Sequence, residues 1–98
     1  MHVMELVKWQ SQNNVLDIDM VNAVDGILPD LEKLPGFISQ VLYKDSNGTW
    51  VDIYLWKTEE QAIASNDLMA DKQSFIKLMS LLKPETVSIE FLYPTTQS

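Results

Sequence analysis

Trp50-Val51-Asp52-Ile53-Tyr54-Leu55-Trp56 is the stretch that decides the fold. Alternate side chains of a strand point to opposite sides of its sheet. Val51, Ile53 and Leu55 then share one face, and Trp50, Asp52, Tyr54 and Trp56 share the other. Neither face reads as polar, so neither is built to stand in water. Just upstream, Asp45-Ser46-Asn47-Gly48-Thr49 reads as a hairpin connection, because Asn-Gly readily supplies the positive φ angles of a tight turn. Its other arm is a strand over Phe37–Lys44. Just downstream, Thr58-Glu59-Glu60-Gln61 reads as a capping box, with Thr58 bonding the Gln61 amide and the Gln61 side chain reaching back. The helix it opens runs to about Ala70. A second helical piece follows, with Phe75, Leu78, Met79 and Leu82 on one face.

Further out, Val3–Trp9 reads as a strand ending at the polar turn Ser11-Gln12-Asn13-Asn14. A helix follows, capped by Asp17 or Asp19. Its apolar positions Met20, Val24, Ile27, Leu31 and Leu34 recur at three- and four-residue steps. Pro29 removes one backbone donor inside that pattern and should kink or restart the helix. Leu34-Pro35-Gly36 stops it, and Lys83-Pro84-Glu85-Thr86 breaks the later helical piece. Val87–Tyr93 is the last strand and Pro94–Ser98 a polar tail. The order strand, helix, strand, strand, helix, strand is the split βαβ pattern. The expectation is one α+β domain over residues 1–98, ferredoxin-like, with a four-stranded antiparallel sheet.

The other strands repeat the pattern of the third. Val87, Ile89, Phe91 and Tyr93 oppose Ser88, Glu90 and Leu92; Phe37, Val41 and Tyr43 oppose Ile38 and Leu42; Val7 and Trp9 oppose Met4 and Leu6. Two helices cover one face of such a sheet. The second face would leave an apolar patch larger than monomers usually expose. A twin copy packed sheet to sheet removes it, giving a two-fold homodimer, a dimeric α/β barrel with helices outside. The alternative is a monomer that offers this face to another partner.

Composition narrows the function. With 98 residues there is room for one domain, and 46% apolar residues are too many for disorder. Fourteen acidic residues against seven basic ones give a formal charge of −7, which repels phosphate backbones and argues against nucleic-acid binding. All seven basic residues are lysines, so planar bidentate recognition of phosphate or carboxylate is not available. Three scattered glycines form no phosphate-cradling loop. No Cys is present, hence no disulfide, thiolate metal site or thiol nucleophile. No apolar run approaches a membrane span, and the first residues do not resemble a signal peptide. A cytoplasmic protein without cofactor or metal is the expectation. The acidic run Asp17, Asp19, Asp25, Asp30 and Glu32 reads as a solvated helix face.

Three segments carry a resemblance: Pro35-Gly36-Phe37-Ile38-Ser39, Trp50 through Ala62, and Lys83 through Glu90. Together they resemble the antibiotic biosynthesis monooxygenase-like family of the dimeric α/β-barrel superfamily, over nearly the whole chain in order and spacing. The resemblance implies a pocket between sheet and helices, lined here by Glu5, Asp52, Trp56 and Asn66. It implies a cofactor-independent monooxygenase acting on a small aromatic or polyketide-like compound. The alternative on the same scaffold is a non-catalytic ligand-binding or stress-related module. Haem-degrading relatives use an axial His where Asn66 stands. The single imidazole here is His2, so haem ligation is not expected.

The residues also carry a reading of their own. Glu5 and Asp52 sit mid-strand on neighbouring strands, on the face bearing Trp9, Tyr54 and Trp56. Carboxylates under aromatic walls rise in pKa, which suits a general base or acid; a base acting on a phenolic or enolisable substrate would promote reaction with oxygen or an isomerisation. The plainer account is a water-facing carboxylate or one paired with Lys8 or Lys57. Trp9, Trp50 and Trp56 can stack on an aromatic ligand, though for Trp9 and Trp50 packing is the simpler account. Ala62, Asn66 and Ala70 share a helix stripe, which would let Asn66 overhang the pocket.

Overall fold

The computed structural model describes residues 2–96. The elements follow the chain as β1 (Val3–Trp9), α1 (Asp17–Leu31), β2 (Phe37–Lys44), β3 (Trp50–Trp56), α2 (Glu59–Met69), α3 (Gln73–Met79) and β4 (Ser88–Leu92), with a 3₁₀ turn at Pro84–Thr86. All strand pairs are antiparallel, in the order β2-β3-β1-β4. This is the ferredoxin-like α+β fold anticipated above. No described helix is long and apolar enough to cross a membrane.

One core lies between the sheet and the helices. β3 alternates buried and half-buried along its length, with Trp50, Asp52, Tyr54 and Trp56 facing inward. Val3, Glu5 and Trp9 of β1 join them, under Met20, Val24, Ile27 and Leu31 of α1 and Ala62 and Met69 of α2. The register sets Glu5 opposite Tyr54 and Val7 opposite Asp52. The other face of the sheet carries Met4, Leu6, Val41, Tyr43, Val51, Ile53, Leu55 and Leu92, all half-buried or exposed.

Several local expectations are revised. α1 runs unbroken through Pro29: only the Asp25 carbonyl loses its donor, and it lies on the exposed side of the helix, where water can take the place of the missing N–H. Neither Asp17 nor Asp19 is the cap residue. Leu16 is, and Asp19 reaches back to accept its N–H at 3.3 Å, while Asp17 pairs with Lys44 at 2.8 Å. At Thr58 half of the expected box forms: the hydroxyl accepts from the Gln61 amide at 3.1 Å. The Gln61 side chain instead lies against Gly36, its Oε1 buried without a partner among the described residues. A β-bulge between Phe37 and Ser39 moves Phe37 to the inner face, where its ring meets Trp56 edge-on at 5.6 Å. The final strand is shorter than expected, ending at Leu92, and Gln97 and Ser98 of the polar tail lie outside the described residues.

Candidate functional site

β1, β3 and β4 with α1, α2 and α3 line a partly open cavity of about 230 Å³ whose wall is almost wholly apolar. Glu5, Trp9, Tyr54, Trp56 and Asn66 all line it, so five of the six residues singled out above come together there. Glu5 is the only charged side chain among the lining residues. It is 4% exposed, and its Oε1 accepts from Trp56 Nε1 at 2.9 Å. Its second oxygen takes no hydrogen bond among the described residues. Burial pushes the Glu5 pKa up; the Trp56 hydrogen bond pulls the other way, and the charge of Asp52 adds to the rise.

Asp52 is placed differently from the expectation. It is fully buried but is not one of the lining residues. Its carboxylate accepts from the Tyr54 hydroxyl on one oxygen and from Gln40 Nε2 on the other. The physical reason is the strand geometry: Asp52 is short, lies opposite Leu42 of β2, and turns toward that strand's Gln40 rather than into the void. Burial lifts its pKa to about 6, opposed by the hydrogen bonds from Tyr54 and Gln40. Burial and the adjacent Asp52 push the Tyr54 phenol well above its ordinary value, so it remains an O–H donor. Neither carboxylate meets Lys8 or Lys57.

Asn66 is exposed and stands at the rim. The inward stripe of α2 is Ala62, Ser65 and Met69 rather than Ala62, Asn66 and Ala70. Ser65 and Gln40 are the polar residues that the sequence reading missed. Ser65 lines the cavity with its hydroxyl tied to the Ala62 carbonyl at 2.6 Å. Met69, Phe75 and Met79 form part of the wall. His2 is not a lining residue, and no group of three or more metal-ligating side chains occurs among the described residues.

Antiparallel strands in the order β2-β3-β1-β4 with the helices on one face have counterparts among solved structures. The fold is that of the antibiotic biosynthesis monooxygenase-like proteins. SnoaB, a cofactor-independent oxygenase from Streptomyces nogalater, matches with a TM-score of 0.78 at 11% identity, over 98% of this chain and 95% of its own. A candidate antibiotic biosynthesis monooxygenase from Bordetella bronchiseptica matches at 0.81 and 11% identity, over 97% and 98% of the two chains. A conserved protein from Methanosarcina mazei gives 0.73 at 16% identity, over 94% and 91%. No family model and no curated protein matches the sequence. At these identities the monooxygenase-like fold is shared, while its chemistry has to be argued from the site.

Proposed function

We propose that the cavity binds a small neutral aromatic compound and that Glu5 acts on it as a general base, in a cofactor-independent oxygenation. The observation that carries this reading is Glu5 itself: one carboxylate in an apolar cavity, with one oxygen fixed by Trp56 and the other not bonded. Polar groups placed sparingly in an apolar pocket are the usual mark of a small-molecule site. A raised carboxyl pKa lies closer to that of a phenol, which favours proton transfer between them. Removing the phenolic proton gives an electron-rich anion that dioxygen can oxidise. In the balanced reaction, a phenol and dioxygen give a quinone and water. The ring C–H and phenolic O–H are lost, one oxygen atom becomes the new carbonyl, and the other leaves as water with both hydrogens. The substrate supplies all four electrons.

Asp52 acts in this scheme as a positioning residue. Held by Gln40, it fixes the Tyr54 hydroxyl and so the ring that forms one wall. The absence of any lysine among the lining residues disfavours anionic ligands. The apolar outer face of the sheet is closed by a second copy of the chain, because Val41, Tyr43 and Leu92 stand 47%, 53% and 41% exposed with half-buried Ile53 and Leu55 among them. A non-catalytic binding module is the second reading, favoured by the position of Asp52: only one of the two carboxylates reaches the cavity. Dioxygen uptake with alpha-naphthol separates the two. The oxygenase reading predicts one dioxygen consumed per naphthoquinone formed, unaffected by a chelator. Saturable binding without uptake would replace it with the binding-module reading.

A further inference from the structure

Glu5 has a like-charged neighbour behind the cavity wall. Across β1 and β3, Glu5 pairs with Tyr54 and Val7 with Asp52, so Glu5 and Asp52 are diagonal neighbours on the inner face of the sheet, their backbones roughly 7–8 Å apart. Both are buried, at 4% and 0% exposed. Few other charges face the pair among the described residues. Lys44 of β2, diagonal to Asp52, has its ammonium on Asp17 at 2.8 Å. Asp30, half-buried on α1, is tied to Ser74 of α3. Glu32 shares an open groove with Gln40 but is exposed, where water screens it. The buried residues of α1, α2 and α3 are uncharged, and β4 gives the cavity only Ile89. No cation is therefore paired with either carboxylate.

Hydrogen bonds separate the two groups. Asp52 accepts on both oxygens, from the Tyr54 hydroxyl and from Gln40 Nε2. Glu5 accepts on one, from Trp56 Nε1. Each donor favours the ionised form, and burial is nearly equal, so Asp52 carries charge more readily than Glu5. We propose that Asp52 and Glu5 act as a coupled pair, in which the charge held on Asp52 keeps the last proton on Glu5 and makes Glu5 the stronger base once that proton leaves. At roughly 7–8 Å and an effective dielectric constant of about 20, one such charge moves the midpoint of the other group by about 1–2 pH units. Asp52 thus does more than hold the Tyr54 ring: it is a positioning residue whose charge acts through Glu5. The consequence for turnover rests on the reading of Glu5 as a base; the coupling itself does not.

Carboxyl-carbon NMR titrations of the whole chain test this in wild type, Asp52→Asn and Glu5→Gln, the Glu5 signal being the one lost in Glu5→Gln. Asn can keep both hydrogen bonds of Asp52 while removing its charge, so a purely structural role of Asp52 would leave Glu5 unmoved. In wild type Asp52 should release its proton before Glu5. In Asp52→Asn the Glu5 midpoint should fall by about 1–2 pH units. In Glu5→Gln the Asp52 midpoint should move by less than about half as much, because Glu5 is still neutral when Asp52 ionises. If Asp52→Asn does not fold, the wild-type order still decides, together with Gln40→Met, which removes one donor and should raise the Asp52 midpoint. A Glu5 midpoint unmoved in Asp52→Asn, Glu5 ionising first in wild type, an Asp52 midpoint that moves more in Glu5→Gln than Glu5 does in Asp52→Asn, or one that stays in place in Gln40→Met would each overturn the proposal. Dioxygen uptake is not read in these titrations. Coupled carboxyls without uptake uphold the pair and remove the oxygenase reading; uptake with independent carboxyls does the reverse.

Discussion

Replacing Asp52 with Asn should stabilise the protein at neutral pH, against the usual effect of altering a fully buried polar residue. The wild-type carboxyl has an ordinary value of 3.8, and burial lifts it to about 6 in the folded state. Between those values the folded chain holds a proton that the unfolded chain releases, so stability falls as pH rises through that window. At 1.36 kcal/mol per pH unit, a span of roughly two units costs about 3 kcal/mol, fully lost above pH ~6. Asn removes the titration and keeps the shape. Its carbonyl oxygen can accept from Tyr54, and its amide can donate to Gln40 once the Gln40 amide turns over. Urea unfolding at one fixed protein concentration, from about pH 4 to about pH 8, reads the effect. The stability of Asp52→Asn relative to wild type should rise by about 2–3 kcal/mol across that range. Most of the change should fall below pH ~6, and a 98-residue domain should gain about 10–20 °C in Tm at neutral pH. A difference that stays flat with pH would refute the raised pKa. A variant much less stable at neutral pH would show that Tyr54 and Gln40 require the negative charge.

Gly36→Ala should destabilise by about 1–3 kcal/mol or more, since Gly36 has φ +82° and an added Cβ would overlap the Gln61 side chain; the Gly36→Ala, Gln61→Gly double variant should relieve the overlap but not the backbone cost, as chemical denaturation will show. Light scattering should give twice the 11.2 kDa chain mass, and Ile53→Lys, which sets a charge in the apolar outer face, should split the dimer or block folding; a wild-type monomer at micromolar concentration would contradict the covered sheet. Haem titration should give no sharp Soret shift at equimolar ratio, because the chain's one imidazole, His2, is not among the cavity residues.

The fold was legible because β3 and its flanks carry redundant signals. Aromatic and β-branched alternation, the Asn-Gly turn and Thr58 at a helix start all agree, and each appears at its expected place. The inner face of β1 and β3 follows from strand alternation alone, which is why Glu5, Trp9, Tyr54 and Trp56 meet. What was not legible depends on side-chain direction or on one-residue irregularities. The bulge after Phe37 turns that residue to the inner face, opposite to the side it would share with Val41 and Tyr43 by alternation, and the turn of Asp52 toward Gln40 is a matter of side-chain direction. No residue type in that segment signals a bulge. The rotation of α2 by one position puts Ser65 inside and Asn66 at the rim, a difference smaller than periodicity resolves when the helix carries so few large apolar residues. Trp9 illustrates the limit from the other side: packing was the simpler account of it and ligand stacking the alternative, and only the structure shows it buried with its N–H unpaired among the described residues.

The claim that Glu5 is the base of a ligand-binding cavity is tested most directly by the pH dependence of alpha-naphthol oxidation in wild type and Glu5→Gln, followed by naphthoquinone absorbance. The base must be ionised to act, so wild-type kcat/KM should rise with pH through the folded-state pKa of Glu5, which burial places above the ordinary carboxylate value. Glu5→Gln keeps the acceptor for Trp56 Nε1 and should still bind the naphthol, but kcat should fall by about 10²–10⁴ and the pH step should vanish. Full turnover by Glu5→Gln, or a wild-type profile flat across the carboxylate range, would contradict the account.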